Sequence, residues 1–179
     1  MRGKSRETIL DELALRDTGA REPLAESPLV GAALADGWYV VLSNKDVRFA
    51  DDDLLKRLSA GCELVGCVVE EHVMISGAWC WKNGEKMWSV DHDSQRSIEH
   101  LDTTGAVPAQ IAGIRDRLLT DQRDNDDDVD IVFNAPLELA KMITGFSHDE
   151  DADGVTYEVL VGPATEKKPS WLQRLVGRT

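Results

Sequence analysis

Cysteine, aromatic residues and positive charge are scarce in this 179-residue chain, and long apolar runs are missing altogether. The three cysteines, Cys62, Cys67 and Cys80, are odd in number and sit inside apolar, strand-like stretches. They do not form the spaced framework of a disulfide-stapled secreted domain, so a reducing, cytoplasmic setting is expected. Without an 18-residue apolar stretch, no membrane-spanning helix is expected either. Arg2, Lys4 and Arg6 resemble the start of a signal peptide, but Glu7, Asp11 and Glu12 break up the apolar run such a peptide needs. Glycine-rich phosphate loops, dinucleotide fingerprints and serine nucleophile elbows are absent.

What the chain has in excess is negative charge. Thirty-three Asp and Glu against 20 Lys and Arg leave a net charge of -13, which repels phosphate backbones and argues against a nucleic-acid partner. The distribution is uneven, with residues 1–6 and 163–179 each carrying +3. Between them, residues 121–153 hold eleven acids against Arg123 and Lys141. Asp124, Asp126, Asp127, Asp128, Glu150 and Asp151 in this stretch are the candidate contacts for a basic protein partner.

Hydrophobic residues at 42% and charged residues at 30% are ordinary for a globular protein, and the length suits one domain. Residues 1–30 read as an N-terminal amphipathic helix over 5–16 followed by a linker bracketed by Pro23 and Pro28. Residues 31–162 read as a single α+β domain, and 163–179 as a flexible basic tail. The expected fold is a mainly antiparallel sheet with helices packed on one face. Leu29–Ala35 reads as a helical turn or two, Trp38–Ser43 as a strand, Asp51–Leu58 as a helix and Cys62–Val69 as an interior strand. Ser94–Leu101 and Pro108–Thr120 read as helices, Val129–Phe133 as a strand, the segment after Pro136 as a helix ending at Gly145, and Val155–Val161 as a strand.

Asn83-Gly84 between two β-like segments is the strongest local signal, because both residues tolerate the positive φ angles of a two-residue type I′ turn. A loop of that length sets Lys82 opposite Glu85, Trp79 opposite Trp88 and Ile75 opposite His92. Alternation then predicts one apolar face with Val73, Ile75, Trp79, Trp81, Trp88 and Val90. The other face carries His72, Met74, Ser76, Glu85, Ser89, Asp91 and Asp93.

Two constellations have residue types suited to chemistry. His72, Asp91 and Asp93, with Glu70 upstream, combine imidazole and carboxylate in the manner of a metal or acid/base site of a hydrolase. Asp149, Asp151, Asp153 and Gly154 follow the first half of a calcium loop, but the twelfth position is Leu160 where a bidentate glutamate is needed. A weak divalent-cation site is the most that half-loop supports, and no other cofactor is expected. The doublet His92-Asp93, repeated at His148-Asp149, also occurs in metal phosphohydrolases, but those are helical and need more histidines than the four present.

Glu70-Glu71-His72-Val73-Met74 and Trp88-Ser89-Val90-Asp91-His92-Asp93, within the stretch Gly37–Asp93, resemble a family of uncharacterised bacterial proteins. Ile143-Thr144-Gly145-Phe146-Ser147-His148-Asp149-Glu150-Asp151 resembles the same family near its end. The resemblance implies a bacterial source and carries no known function and no site residues. Small size and strong acidity point to a protein-binding or inhibitory module, of the kind represented by immunity proteins that neutralise basic toxins. A hydrolase centred on His72 and a weak calcium-binding protein are the alternatives, and a carboxylate-based mimic of nucleic acid differs from the first reading only in its partner. Oligomeric state is not legible in the sequence.

Overall fold

The computed structural model describes residues 1–44, 47–125, 129–150 and 154–162, with backbone alone at 47 and 48. The basic tail expected over 163–179 lies outside the described residues. The fold is α+β with two antiparallel sheets, and the chain divides into two compact units. Among the described residues, the first unit comprises Met1–Leu64, Lys82–Glu85 and those over 148–162; the second comprises Val65–Trp81 and Lys86–Ser147.

In the first unit, α1 (Arg6–Leu13) begins where the Ser5 hydroxyl accepts a hydrogen bond from Thr8 N, and it ends at Ala14 in the left-handed region. It buries Ile9, Leu10 and Leu13. The linker expected after it is instead β1 (Arg16–Glu22) and, beyond the turn, β2 (Leu29–Ala33). Strands β1 and β2 therefore put much of residues 16–33 into a sheet. With β3 (Tyr39–Ser43) and β8 (Tyr157–Val161) they make a sheet of order β1-β8-β2-β3. The short Leu29–Ala33 run carries no helical cap and pairs with β3 along its whole length, placing Val30 and Ala32 in the core. The helix α2 (Asp52–Leu58) is capped as its sequence predicts, Asp51 accepting from Leu54 N at 3.0 Å.

Charged groups tie this sheet to α1. Arg6 donates to Glu158 at 2.7 Å and to Asp17 at 2.6 Å, and Arg21 holds Asp17 with two bonds of 2.9 Å. The Tyr39 hydroxyl donates to the same Glu158 carboxylate at 2.8 Å, and burial, reinforced by Glu158, pushes the phenol above its ordinary range. To reach it, the tyrosine crosses Gly31. A Cβ at that position would lie 2.3 Å from the Tyr39 hydroxyl oxygen.

The second sheet has the order β4-β5-β6-β7, with β4 (Glu63–Glu70), β5 (Ile75–Lys82), β6 (Glu85–Asp93) and β7 (Asp102–Gly105). β5 and β6 are joined by Asn83-Gly84 with φ of 53° and 83°, as the turn chemistry requires. Against the sheet lie α3 (Gln110–Asp124) and α4 (Ala135–Thr144), the latter ending at Gly145 in the left-handed region. The helix expected at Ser94–Leu101 is a series of turns, and the strand expected at Val129–Phe133 is a 3-10 turn over Val132–Asn134. That turn buries Val132 and Phe133, and Gln122 of α3 accepts Ile131 N and Val132 N while donating to Val129 O. Those backbone groups are thereby paired without a strand partner.

The face assignment along the hairpin differs from expectation. Near the turn, Lys86 Nζ lies 5.1 Å from the Trp81 ring centroid, the neighbour a two-residue loop dictates. Farther along, Ala78 and Cys80 share a core cluster with Trp88 and Val90, packed on Leu139 and Ala140 of α4. On the opposite face a Cβ on Gly77 would lie 3.0 Å from Asp91 Oδ1. Even-numbered residues of both strands thus face the helices, a one-residue offset from the register that a two-residue loop alone would give, which flips one strand relative to the other. Trp79 and Trp88 consequently occupy opposite faces. Trp79 lies flat over Gly66, its indole nitrogen 2.2 Å from where a Cβ would sit. Cys67, expected to be buried, is exposed.

Replacing Gly31 by Ala is expected to destabilise the chain by about 1–3 kcal/mol, the usual cost of overpacking. Pairing it with Tyr39→Leu should return part of the loss in urea unfolding. The Arg21 guanidinium, then the Gly19 amide, hold Asp17 down to about 2. A carboxylate lowered by folding stabilises fully above its ordinary value and loses that contribution as pH falls through its folded value. The stability gap between wild type and Asp17→Asn should therefore be full at pH 5 and shrink steadily between about pH 4 and 2, measured by urea titrations across that range.

Candidate functional site

The structure disperses the His72, Asp91 and Asp93 constellation. His72 sits in the turn between β4 and β5 with its side chain 94% exposed, Nδ1 3.2 Å from Glu70. Asp91 is half-buried on the face of β6 opposite the helices, whereas Asp93 is buried at the strand's end. There the Asp93 carboxylate accepts from Gln95 N at 3.0 Å and shapes the turn beyond the strand. Among the described residues, no three His, Cys, Asp or Glu side chains are grouped to hold a metal ion.

His92, which alternation placed among the indoles' neighbours, is the centre of a buried polar pin. It has no exposed surface. Its Nδ1 lies 2.7 Å from the His100 carbonyl, which can only accept, so Nδ1 carries hydrogen and donates. Nε2 lies 2.8 Å from Asp130 Oδ2, and one proton is shared across that contact. Asp130 also accepts from Phe133 N, Phe133 packs edge-on to the imidazole, and Ser76 donates to the Phe133 carbonyl at 2.6 Å. Every polar atom of the imidazole is consumed. With no access to solvent, the pair joins β6 to the chain entering α4.

The acidic stretch is also partly spent internally. Asp130 is the partner of His92, and Asp121 and Glu138 both pair with Arg117. Asp124 ends α3 and is exposed. Asp126, Asp127, Asp128, Asp151 and Asp153 lie outside the described residues. Asp149 and Glu150 line a cleft of about 180 Å³ with Leu24, Ala25, Glu26, His148 and Tyr157. His148 Nδ1 stands 4.0 Å from the Asp149 carboxylate.

The strongest candidate site is on the ribbon formed by β6 and β7. Asp91 pairs directly with Asp102 and Ser89 with Thr104 in antiparallel register. Thr104 and Ser89 hydroxyls are 2.8 Å apart, and Ser89 Oγ donates to Asp91 at 3.2 Å, so the hydroxyls form a chain ending on the carboxylate. The absence of a Cβ at Gly77 leaves room for that carboxylate. Burial raises Asp91 above its ordinary value, while Arg96, at 2.6 Å, holds Asp102 below its own.

His100 stands behind Asp102. Its Nδ1 accepts from Asp93 N, so Nε2 carries the hydrogen and lies 3.2 Å from Asp102 without an aligned acceptor. Like charges directly opposite one another weaken a strand pair, and natural sheets keep them where something compensates. Here Arg96 compensates one carboxylate. At the other, the pull of Lys86 and His100 is smaller than the effect of burial, so Asp91 stays raised. Sequence reasoning singled out Asp91 but missed Ser89, Asp102, Thr104 and Arg96, because nothing marked Asp102–Gly105 as the strand that pairs with β6.

Cutting the buried pair by Asp130→Ala should cost about 2–5 kcal/mol, since it leaves the buried His92 Nε2 and the Phe133 N–H without their hydrogen-bond partner. The thermal midpoint should fall by roughly 10 °C. Asp102→Asn on the exposed ribbon should leave it within a few degrees, by calorimetry on both variants.

The family model DUF6461, a family of unknown function, matches residues 3–153. The match covers most of the length, and the chain belongs to that family. No curated protein and no solved structure matches it.

Proposed function

We propose that this member of DUF6461 is a protein-binding module of the inhibitory, immunity-like kind, working in the bacterial cytoplasm and receiving a basic partner protein on its carboxylates. The observation that carries the reading is the Asp91–Asp102 pair, a half-buried and an exposed carboxylate opposed across the β6–β7 ribbon of a chain with net charge -13. A guanidinium or ammonium placed between them relieves their repulsion and gives Asp91 a close counter-charge. Surrounding negative charge steers such a partner into contact and disfavours acidic competitors. Cys62, Cys67 and Cys80 are all thiols and not disulfides, which agrees with a reducing compartment. Among the described residues, no helix is long and apolar enough to cross a membrane.

The immobilised full chain, exposed to lysate of its source at low salt, is expected to retain a stoichiometric basic protein that elutes as salt rises. Affinity of the purified partner should fall at least about tenfold in Asp91→Asn/Asp102→Asn, a loss of about 1.4 kcal/mol. Retention of nothing, or of a partner indifferent to both salt and the double variant, overturns the proposal.

A further inference from the structure

β7 is an outer strand of its sheet, and all four of its residues are exposed. The bond from Ala106 N to Met87 O (2.9 Å) continues the β6–β7 register. Hydrogen-bonded pairs in an antiparallel ribbon recur at every second residue, so Thr104 with Ser89 and Asp102 with Asp91 are the pairs that bond across it. The backbone N–H and C=O of Thr103 and Gly105 therefore point away from β6, toward the open edge. An edge of this kind is a template for another strand unless it is shielded by charge or proline. Its one charged residue, Asp102, is already bridged by Arg96.

Resting on the basic partner proposed above, we infer that an extended, arginine-bearing segment of that partner adds to β7 as a fifth strand. Its main chain pairs with Thr103 and Gly105. Residues of the added strand opposite Asp102 and Thr104 share the carboxylate face, so arginines at every second position point toward Asp102, one strand spacing of about 4.8 Å away, and along the same face toward Asp91, two spacings away, within reach of the long guanidinium side chain. Charge selects this occupant over a second copy of the chain, because two β7 edges laid together bring Asp102 and Asp91 of one copy toward those of the other. Main-chain pairing supplies the affinity and the alternate arginines the selectivity, the division of labour usual in strand addition.

The test is calorimetric titration of the full chain, at about 20 mM salt, with an octapeptide bearing arginine at alternate positions and valine or threonine between. Two N-methylated versions, one for each alternate set of amides, accompany it. Binding is expected for the parent and for one methylated version, with a loss of at least about tenfold for the other, since only one set faces β7. Thr103→Pro should produce a similar loss, because its outward N–H disappears while the ladder to β6 is kept. Asp91→Asn should also weaken the parent peptide about tenfold.

If both methylated peptides bind like the parent, strand addition is wrong while recognition of a basic partner by charge survives. If no peptide binds but the captured basic protein does, the inference fails and the proposed function stands; if neither binds, both fail. Self-association that Thr103→Pro abolishes assigns the edge to a second copy and overturns the inference. Should Thr103→Pro not fold, the methylated peptides decide alone.

Discussion

The packing of Ala78, Cys80, Trp88 and Val90 on Leu139 and Ala140 of α4 is the contact on which the second unit depends. Side chains alternate along a strand, so the choice of which set meets the helices settles the position of every other residue in the hairpin. A turn count alone pairs Trp79 with Trp88. Burying Trp88 and Val90 together with the small Ala78 and Cys80 requires the neighbouring register, and the cost of one offset in the ribbon is small beside the burial of an indole and a valine. Trp79 then packs on the far face, where Gly66 offers a flat bed for its ring.

That register separates two groups of chemically similar residues into different roles. Ser76 and His92 turn toward the helices and meet Phe133 and Asp130, where each polar atom has a partner and water has no access. Asp91 turns the other way, beside Gly77, and stands opposite Asp102 of β7. Histidine and aspartate adjacent in sequence, His92 and Asp93, do not act together at all: one holds Asp130, the other closes a turn. Residue type therefore says little about function here until burial and pairing are known.

Net charge is likewise an imperfect guide to surface. In the first unit, Asp17 and Glu158 are held by Arg6 and Arg21, forming a network that ties α1 to β1 and β8. In the second, Asp130, Asp121 and Glu138 are engaged by His92 and Arg117. Carboxylates in close ion pairs keep little unbalanced charge, whereas at Asp91 burial outweighs the cations around it. Asp91 is distinguished by that criterion and not by its position in an acidic run.

Local chemistry was enough to place α1, α2, α3, α4 and β8, because caps, apolar spacing and left-handed glycines act over a few residues. The Asn83-Gly84 turn was legible for the same reason. Leu29–Ala33 and Asp102–Gly105 were not, since a short stretch with weak propensity becomes a strand only when a partner strand satisfies its backbone. The loop at 129–134 gave the opposite error, its β-branched residues being held by Gln122 instead of by a sheet. Sequence by itself determined an acidic α+β protein with a hairpin at its centre, through interactions whose range is a single turn of chain. Only the tertiary structure decided that Asp91 stands opposite Asp102 and that His92 is sealed against Asp130, because both pairings link distant segments whose meeting is chosen by the packing of the core.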